Sequence, residues 1–242
     1  EDDMRTVTDL LIEQVEFADV ILISKTDLAA AADVDALEAV LRTLNREARI
    51  LRMQGGQANL DDVLDTRLFD FERAQQAPGW LQEMRGEHQP ETDAYGIASF
   101  TYQARRPFHP QRFWNFLHQH WSNGRLLRSK GYFWLASRPA LAGTLSQAGG
   151  ILHHGVAGHW WAAVDDEHWP EDEDSRARIL EKWDGEMGDC RQELVFIGQQ
   201  VNAAQVRAEL DACLLTDDER AAGAAVWAGY SDPFPAWDMQ AA

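Results

Sequence analysis

The chain has 242 residues, of which 40 are acidic and 22 basic, and its formal net charge is −18 with neutral histidines. Such a charge repels nucleic acid backbones and anionic membrane surfaces, so we expect neither as a partner. With 45% hydrophobic residues the chain can bury a core, yet no run approaches the roughly 20 apolar residues of a membrane-spanning helix.

The first five residues, Glu-Asp-Asp-Met-Arg, lack an initiator methionine and the basic and apolar regions of a signal peptide. The missing signal peptide favours a cytoplasmic protein. Because a helical pattern begins almost at once, we expect the chain to start inside a domain and an N-terminal part to precede it.

Helix and strand patterns alternate over the first 53 residues. Residues 4–18 place apolar side chains at helical spacing, and the solid apolar run Val20–Ile23 that follows is typical of a buried strand. A second helix is predicted from a cap at Asp33 through Ala48, and a second strand at Arg49–Met53. This alternation predicts a parallel α/β sheet, with ligands beyond the carboxyl ends of its strands.

The segment Ser24-Lys25-Thr26-Asp27 directly follows the first predicted strand. The carboxylate of Asp27 can accept hydrogen bonds from both N–H donors on the Watson–Crick edge of guanine, whereas adenine would present an acceptor to it. The aliphatic stem of Lys25 can lie over the base. After the second strand, Gly55-Gly56 can let the backbone approach the same ligand. A plain polar turn is the alternative at both places.

A complete guanine-nucleotide enzyme also needs the phosphate-binding pattern Gly-x-x-x-x-Gly-Lys-Ser/Thr. The chain contains no Gly-Lys dipeptide. The residues themselves therefore predict base recognition without the groups that hold and cleave phosphate, and no catalytic residue is assigned.

A change in composition marks a second domain. All ten tryptophans lie at Trp80 or later. Punctuation by proline and glycine in polar sequence predicts a linker over 71–95, between a first domain at 1–70 and a second at 96–242.

The second domain is predicted to be α+β, compatible with an elaborated split βαβ arrangement. Its predicted elements are strands at 97–105, 126–136 and 191–198, a helix from Pro110 to Trp121, a hairpin of 150–154 with 159–164, and a helix at 203–214 capped by Asn202.

Two pairs of residues bear on metal binding. Cys190 and Cys213 are too far apart for a zinc knuckle and are expected to be buried hydrophobic residues. If Gly155–Gly158 forms the hairpin loop, His154 lies opposite His159 with Cβ atoms about 5 Å apart. Imidazole suits zinc, so His154 and His159 are the candidate metal ligands, without an evident third. An imidazole pair on a solvated face is the alternative.

Other charged and aromatic groups are interpreted as structural. Residues 165–174, which hold seven carboxylates, are expected to form a solvated loop. The basic side chains Arg105-Arg106, Arg125 and Arg128 are expected to make exposed ion pairs. The aromatic stripe from Phe113 to Trp121 is expected to be core.

Several further segments carry a family likeness. They are Gln14–Asp19 (QVEFAD), Leu68–Phe71 (LFDF), Gln76–Trp80 (QAPGW), Arg105–Pro110 (RRPFHP), Arg128–Trp134 (RSKGYFW) and Gln192–Gly198 (QELVFIG). Together with Lys25-x-Asp27, they resemble the C-terminal part of CobW-type GTPases. That family includes zinc metallochaperones and metal-insertion factors for cobalamin and nitrile hydratase.

The resemblance implies the end of a P-loop GTPase domain, with the last strands of its parallel sheet, followed by an α+β CobW C-terminal domain. It implies GTP hydrolysis, with Mg²⁺, coupled to delivery of a metal, zinc in the closest-looking branch, to a client metalloprotein. By the same resemblance Ser24, Lys25 and Asp27 contact the guanine base.

Two parts of the family's machinery, the phosphate loop and a Cys-x-Cys-Cys metal motif, would lie upstream of Glu1. The isolated chain is therefore expected to be inactive as a GTPase. Ser24 replaces the usual Asn of the Asn-Lys-x-Asp motif, a departure that implies weaker guanine binding. The alternative that remains open is a stand-alone interaction or metal-buffering module without nucleotide chemistry.

Overall fold

The computed structural model describes residues 7–69 and 96–237. Its N-terminal region contains a two-stranded parallel sheet, and its C-terminal region contains a five-stranded antiparallel sheet. This confirms the predicted mixed α/β class. The predicted linker at 71–95 lies outside the described residues. No helix among the described residues is long and apolar enough to cross a membrane.

The N-terminal region follows the predicted order of helix and strand. It comprises α1 (Val7–Phe17), β1 (Val20–Ile23), α2 (Ala31–Leu44), β2 (Arg49–Arg52) and a 3₁₀ turn at Leu60–Asp62. Strands β1 and β2 pair in parallel, as predicted, with Val20 opposite Arg49 and Ile23 opposite Arg52. Helix α2 begins two residues before the predicted cap Asp33 and lacks a side-chain cap.

The buried side chain of Asn45 determines where α2 ends. Its amide nitrogen donates to the backbone oxygens of Val15 and Ala18, both at 2.8 Å. Its amide oxygen accepts from the backbone nitrogens of Glu47 and Ala48. Asn45 therefore ties the end of α1 to the start of β2, and its extended backbone ends α2 four residues before the predicted Ala48.

The C-terminal region has five strands and five helices among its described residues. These are β3 (Ile97–Ala104), α3 (Pro110–His118), β4 (Arg125–Trp134), β5 (Leu141–Ala148), β6 (Ile151–His159), α4 (Glu173–Glu181), β7 (Gln192–Gln199), α5 (Ala203–Cys213), α6 (Asp217–Ala221) and α7 (Ala224–Trp227). The sheet order is β3-β7-β4-β5-β6. Because β7 lies antiparallel between β3 and β4, the predicted split βαβ arrangement is confirmed.

The predicted hairpin around Gly155–Gly158 is wrong. Ala148 pairs with Ile151, so Gly149 and Gly150 form a two-residue loop between β5 and β6, and Gly149 adopts a φ of 56°. Gly-Gly suits such a loop because it tolerates positive φ. Strand β6 then continues through the segment that was predicted to turn, with a shift of pairing register at Ala157.

One face of the antiparallel sheet carries a dense aromatic core. Phe108, Phe113 and Phe133 are fully buried there, with Phe108 and Phe113 stacked at 4.2 Å between ring centroids. Trp114 and Trp121 pack against the core while partly exposed, which confirms the predicted core role of the stripe.

Both cysteines are buried, as predicted. Burial raises the pKa of the Cys190 thiol and of the Cys213 thiol to about 12. At neutral pH both groups are therefore protonated thiols packed in the protein interior.

The opposite face of the sheet packs on the N-terminal region. Leu44 of α2 contacts Val195 and Ile197 of β7 in a shared apolar cluster. Beside it, both side-chain oxygens of Glu16 accept from the guanidinium of Arg128, at 3.0 and 3.3 Å. Both side chains are 1% exposed, so the prediction of an exposed pair for Arg128 is wrong. The sheet and α1 exclude water from this pair together.

Candidate functional site

The loops that follow β1 and β2 lie side by side at one edge of the parallel sheet. The backbone nitrogen of Met53 donates to Ile23, the last residue of β1, at 2.8 Å. Thr26 then donates from its backbone nitrogen and from its hydroxyl to the backbone oxygen of Met53, at 3.3 and 3.1 Å. This double contact brings the Ser24–Asp27 segment against the second loop, as the parallel arrangement predicts.

Asp27 contacts the second loop through its carboxylate. Its Oδ1 accepts from the backbone nitrogen of Gly55 at 3.2 Å. Gly55 and Gly56 have φ of 55° and 75°, a left-handed conformation that favours glycine. The two glycines therefore let the loop turn the backbone N–H of Gly55 toward the Asp27 carboxylate, and this hydrogen bond fixes the direction of the carboxylate. The sequence predicted only that the backbone can come close at this position.

Lys25 is held in an unusual backbone conformation. Its φ is 59°, and its backbone oxygen accepts from the nitrogen of Leu28 at 2.9 Å. A residue with a Cβ pays about 1–3 kcal/mol for a sparsely populated conformation, and such residues cluster where a ligand is held. The backbone between Lys25 and Asp27 is held by this turn and by the two hydrogen bonds of Thr26 to Met53.

The side chains of Ser24, Lys25 and Asp27 are exposed. The loop pair thus presents an ammonium group and a carboxylate to solvent, and Oδ1 of that carboxylate also accepts from the backbone of Gly55. A planar base with two adjacent N–H donors matches this arrangement. Thr26 was missed by sequence reasoning, although a hydroxyl between Lys25 and Asp27 was a visible signal for a side chain that ties the loop.

The structure does not bring His154 and His159 together. Both lie on β6, where His154 pairs with Leu145 and His159 pairs with Leu141 of β5. Five residues of extended strand separate Cα atoms by roughly 16 Å, too far for two ligands of one ion. The predicted cross-strand pair depended on the hairpin that does not form.

His154 instead lies among aromatic rings near α3. Its ring centroid is 5.6 Å from that of Trp114, 5.1 Å from that of Phe234 and 6.3 Å from that of His118. Burial, followed by the neighbouring His118, lowers the pKa of His154 below its usual value. This environment favours a neutral imidazole that packs as an aromatic group.

The acidic segment at 165–174 has more structure than predicted. It forms a 3₁₀ turn at Asp166–His168 and the first residues of α4. Asp165, Glu167 and His168 lie within reach of one another, the one such trio of potential metal ligands among residues 7–69 and 96–237. All three are exposed, and nothing beyond their proximity points to an ion.

Two family profiles match the chain. Residues 97–214 match the cobalamin synthesis protein cobW C-terminal domain, and residues 1–52 match the CobW/HypB/UreG nucleotide-binding domain. The base-reading candidates Ser24, Lys25 and Asp27 lie in the middle of the second match.

Curated relatives match nearly the whole chain. The chain is 42% identical over 233 residues to the zinc-regulated GTPase metalloprotein activator 1 of Dictyostelium discoideum, covering 96% of this chain and 49% of that protein. It is 32% identical over 244 residues to a zinc chaperone of Mycobacterium tuberculosis, covering 97% and 56%. The chain thus spans about half the length of the curated relatives it matches.

Among solved structures, the Zn(II)-bound YjiA GTPase from E. coli aligns with 84% of this chain and 54% of its own. The sequence identity is 20% and the TM-score 0.38.

Proposed function

The chain belongs to the CobW family, and from this premise we propose that it supplies the guanine-reading part of a GTP-dependent metal chaperone. Lys25 and Asp27 contact the base of GTP, while the phosphates and their Mg²⁺ are held by a part of the protein outside these 242 residues. GTP hydrolysis drives transfer of a metal ion, zinc, to a client metalloprotein in the cytoplasm.

One observation carries this proposal. The carboxylate of Asp27 is exposed at the carboxyl edge of parallel strands, and Gly55 fixes its direction through a hydrogen bond. A carboxylate at this edge of the sheet can accept from the N1–H and N2–H donors of guanine, which supports the proposal. The names of the relatives, a zinc-regulated GTPase metalloprotein activator and a zinc chaperone, support the same chemistry.

The surface of the N-terminal region supports the proposal that further strands complete its sheet. A two-stranded sheet is marginal by itself, since three or more strands are usually needed for stability. Leu22 of β1 is 38% exposed, and Val7 and Leu11 of α1 are 74% and 57% exposed. We propose that the phosphate-binding part of the nucleotide domain covers these side chains, and that residues 1–70 form one domain with it while 96–242 form the second.

The metal-binding part of the proposal rests on no residue of this chain. His154 and His159 do not share an ion, and the buried thiols of Cys190 and Cys213 are protonated at neutral pH. We therefore propose that zinc travels on ligands outside these residues, and that this chain contributes base recognition and the C-terminal domain.

The sharpest test exchanges the base. Asp27→Asn replaces one carboxylate oxygen, an acceptor, by an NH₂ donor. This donor can bond the C2 carbonyl of xanthine, but in guanine it meets the exocyclic amine, which is also a donor. In the polypeptide that includes the phosphate-binding part, we expect GDP affinity to fall at least roughly 100-fold and xanthosine diphosphate affinity to rise. Binding of a fluorescent derivative of each nucleotide measures both.

Asp65→Asn removes an exposed carboxylate from the same region and is expected to change neither affinity. Unchanged GDP binding by Asp27→Asn would contradict the assignment of the base site.

The isolated 242 residues should hydrolyse GTP no faster than buffer. Robust turnover by them would show that phosphate chemistry is present in the chain after all.

A further inference from the structure

A cavity of about 510 Å³ lies between the C-terminal end of α3 and the antiparallel sheet. A row of paired residues from four neighbouring strands lines it: Phe196 of β7, Ser129 of β4, Gln147 of β5 and Leu152 of β6. Because residues directly opposite each other share a face, this row lies on the face that carries the aromatic core. Small-molecule sites usually have volumes of about 300–1,000 Å³, and this cavity falls within that range.

The cavity exists because α3 is short. The helix ends at His118, and two hydrogen bonds between Asn123 and Asn202 then hold the connection to β4 against the start of α5. On the other side the cavity is bounded by the tight Gly149-Gly150 turn between β5 and β6. The gap between these two fixed boundaries is therefore part of the fold.

Large apolar side chains form much of the cavity wall. Besides Phe196 and Leu152, the wall includes Leu117, Trp121 and Ile151, none of which is fully buried. Ile151 is 37% exposed. Apolar surface of this kind is in contact with water while the cavity is open, so covering it with an apolar ligand is favourable.

Arg125 is the one ionisable side chain in the cavity wall. It is exposed, and its guanidinium has no ion pair or hydrogen bond with any residue that the structure describes, so the predicted ion pair does not form. Glu209, which the lining residue Gln119 bonds, uses its other oxygen to accept from Gln205. In a chain with a net charge of −18, a cation without a carboxylate partner beside an apolar cavity favours an anionic ligand.

We propose that this cavity binds an amphipathic monoanion, a carboxylate on an alkyl chain such as a medium-chain fatty acid. The alkyl chain lies against the apolar wall, and the guanidinium of Arg125 binds the carboxylate. One cation matches a single negative charge, whereas a phosphate dianion would be only half neutralised. The proposal is independent of the base site, because every residue of the cavity wall belongs to the C-terminal region.

A series of straight-chain acids tests the apolar part of the site. Hexanoate, octanoate and decanoate are titrated, below their micelle-forming concentrations, into the ¹⁵N-labelled whole chain. The indole signals are followed, with Trp121 and Trp183 assigned by Trp121→Phe and Trp183→Phe. We expect a saturable shift of the Trp121 signal, and an affinity that rises roughly tenfold from each acid to the next, since each acid adds two CH₂ groups.

Trp183 is the internal control for this titration, because it is 37% exposed but lies outside the cavity wall. Its signal should not move. An equal shift of Trp183, or an affinity that does not depend on chain length, would mean that the acids bind exposed apolar surface in general and would overturn the proposal.

A substitution tests the charged part of the site. Arg125→Ala is expected to weaken octanoate binding about three- to fivefold, the upper range for an exposed ion pair, and to leave octanol binding unchanged. Arg220→Ala on α6 removes the same charge from an exposed position outside the wall and should change neither affinity. Octylammonium should bind more weakly than octanol. Equal weakening of octanoate and octanol by Arg125→Ala, or octylammonium binding as tight as that of octanoate, would contradict the assignment of Arg125.

A second substitution tests the wall without touching the charge. Ile151→Ser removes apolar surface that the ligand would cover, so octanoate and octanol binding should weaken by the same factor, about threefold. Val226→Ser, at a side chain that is 50% exposed on α7 and outside the wall, is the matched control and should leave both affinities unchanged. Equal effects of Ile151→Ser and Val226→Ser would rule out this cavity as the binding site.

Discussion

The two regions of the molecule bury their apolar side chains to very different degrees. In the C-terminal region, Phe108, Phe113 and Leu194 are fully buried within a continuous core. In the N-terminal region, Leu28 and Leu60 are 79% and 65% exposed, and nine of the thirteen exposed large hydrophobic side chains of the described residues lie at 7–69. The C-terminal region therefore buries its large apolar side chains by itself, whereas the N-terminal region leaves many of its own exposed.

The two regions also differ in what holds their elements together. Stacked rings and a five-stranded sheet, with β4 at its centre, hold the C-terminal region. The N-terminal region depends on the polar contacts of Asn45, a small apolar cluster around Ile23, and its contact with the C-terminal sheet through Leu44 and Glu16. A region held this way is stabilised from outside, which suits a part of a larger nucleotide-binding domain.

The largest effect is expected where the regions meet. Glu16→Ala leaves the guanidinium of Arg128 buried without its carboxylate, so the free energy of unfolding should fall by about 3–5 kcal/mol. Urea unfolding measures this loss, and hydrogen exchange in α1 should accelerate more than exchange in β7. Arg125 lies on β4, as Arg128 does, but it is exposed. Arg125→Ala is therefore expected to change the free energy of unfolding by no more than about 0.5 kcal/mol.

A double variant separates the two possible roles of the pair. Burial raises the pKa of Glu16 despite the opposing charge of Arg128, so the pair itself stabilises the fold little. Glu16→Leu combined with Arg128→Met should therefore be near the stability of the unmodified chain. Loss of stability equal to that of the single variant would show that the charges are needed together.

The same substitution in the two regions should have unequal effects. Leu194→Ala, in the middle of β7, is expected to cost about 2–5 kcal/mol because it leaves a cavity in the core. Leu60→Ala, 65% exposed in the N-terminal region, is expected to cost no more than about 0.5 kcal/mol. Thermal unfolding of both variants compares them directly, and an equal loss would mean that Leu60 is covered in solution.

The polar clamp of the N-terminal region predicts a smaller loss. Asn45→Ala removes hydrogen bonds to four backbone groups, including the oxygens of Val15 and Ala18, and should cost about 2–3 kcal/mol. Asn59→Ala removes a single exposed contact to Asp61 and should cost less than about 1 kcal/mol. Chemical unfolding of both variants would refute the clamp if the two losses were equal.

The smallest predicted effect is a pH dependence confined to the C-terminal region. Hydrogen bonds from Arg112 lower the pKa of Glu219 to about 2, against 4.5 for the free side chain. Because the pKa of Glu219 is lower in the folded than in the unfolded protein, its ionised carboxylate stabilises the fold at pH values above about 4.5. This contribution to the free energy of unfolding, roughly 1–2 kcal/mol, is lost as the pH falls from about 4.5 to about 2. Unfolding experiments across this range should show a flatter acid limb for Glu219→Gln, and a parallel limb would contradict the assignment.

Local pattern predicted several elements closely. The solid apolar run gave β1 its observed bounds, Pro110 marked the start of α3, and Asn202 caps α5 through the backbone nitrogen of Gln205. Each of these signals acts within a few residues of the chain. The Gly149-Gly150 turn is equally local, but Gly155 and Gly158 offer a competing turn signal, and the predicted histidine pair depended on that second signal.

Local sequence patterns could not predict contacts between residues that are distant in the chain. Nothing near Arg128 in sequence indicates that Glu16, 112 residues earlier, meets it in a dry interface. Likewise, one cavity brings together residues from the end of β6, from α4 and from the segment just before β7, among them His159, Arg178 and Arg191.

The sequence alone determined the order of helices and strands, the parallel and antiparallel character of the two sheets, the family, and the loop that carries Lys25 and Asp27. These features depend on apolar periodicity, turn residues and short motifs, which act locally. Only the tertiary structure decided the contact of the Asp27 carboxylate with Gly55, the burial of Glu16 with Arg128 and the separation of His154 from His159. Each of these depends on which distant surfaces exclude water together, and that depends on the packing of the whole chain.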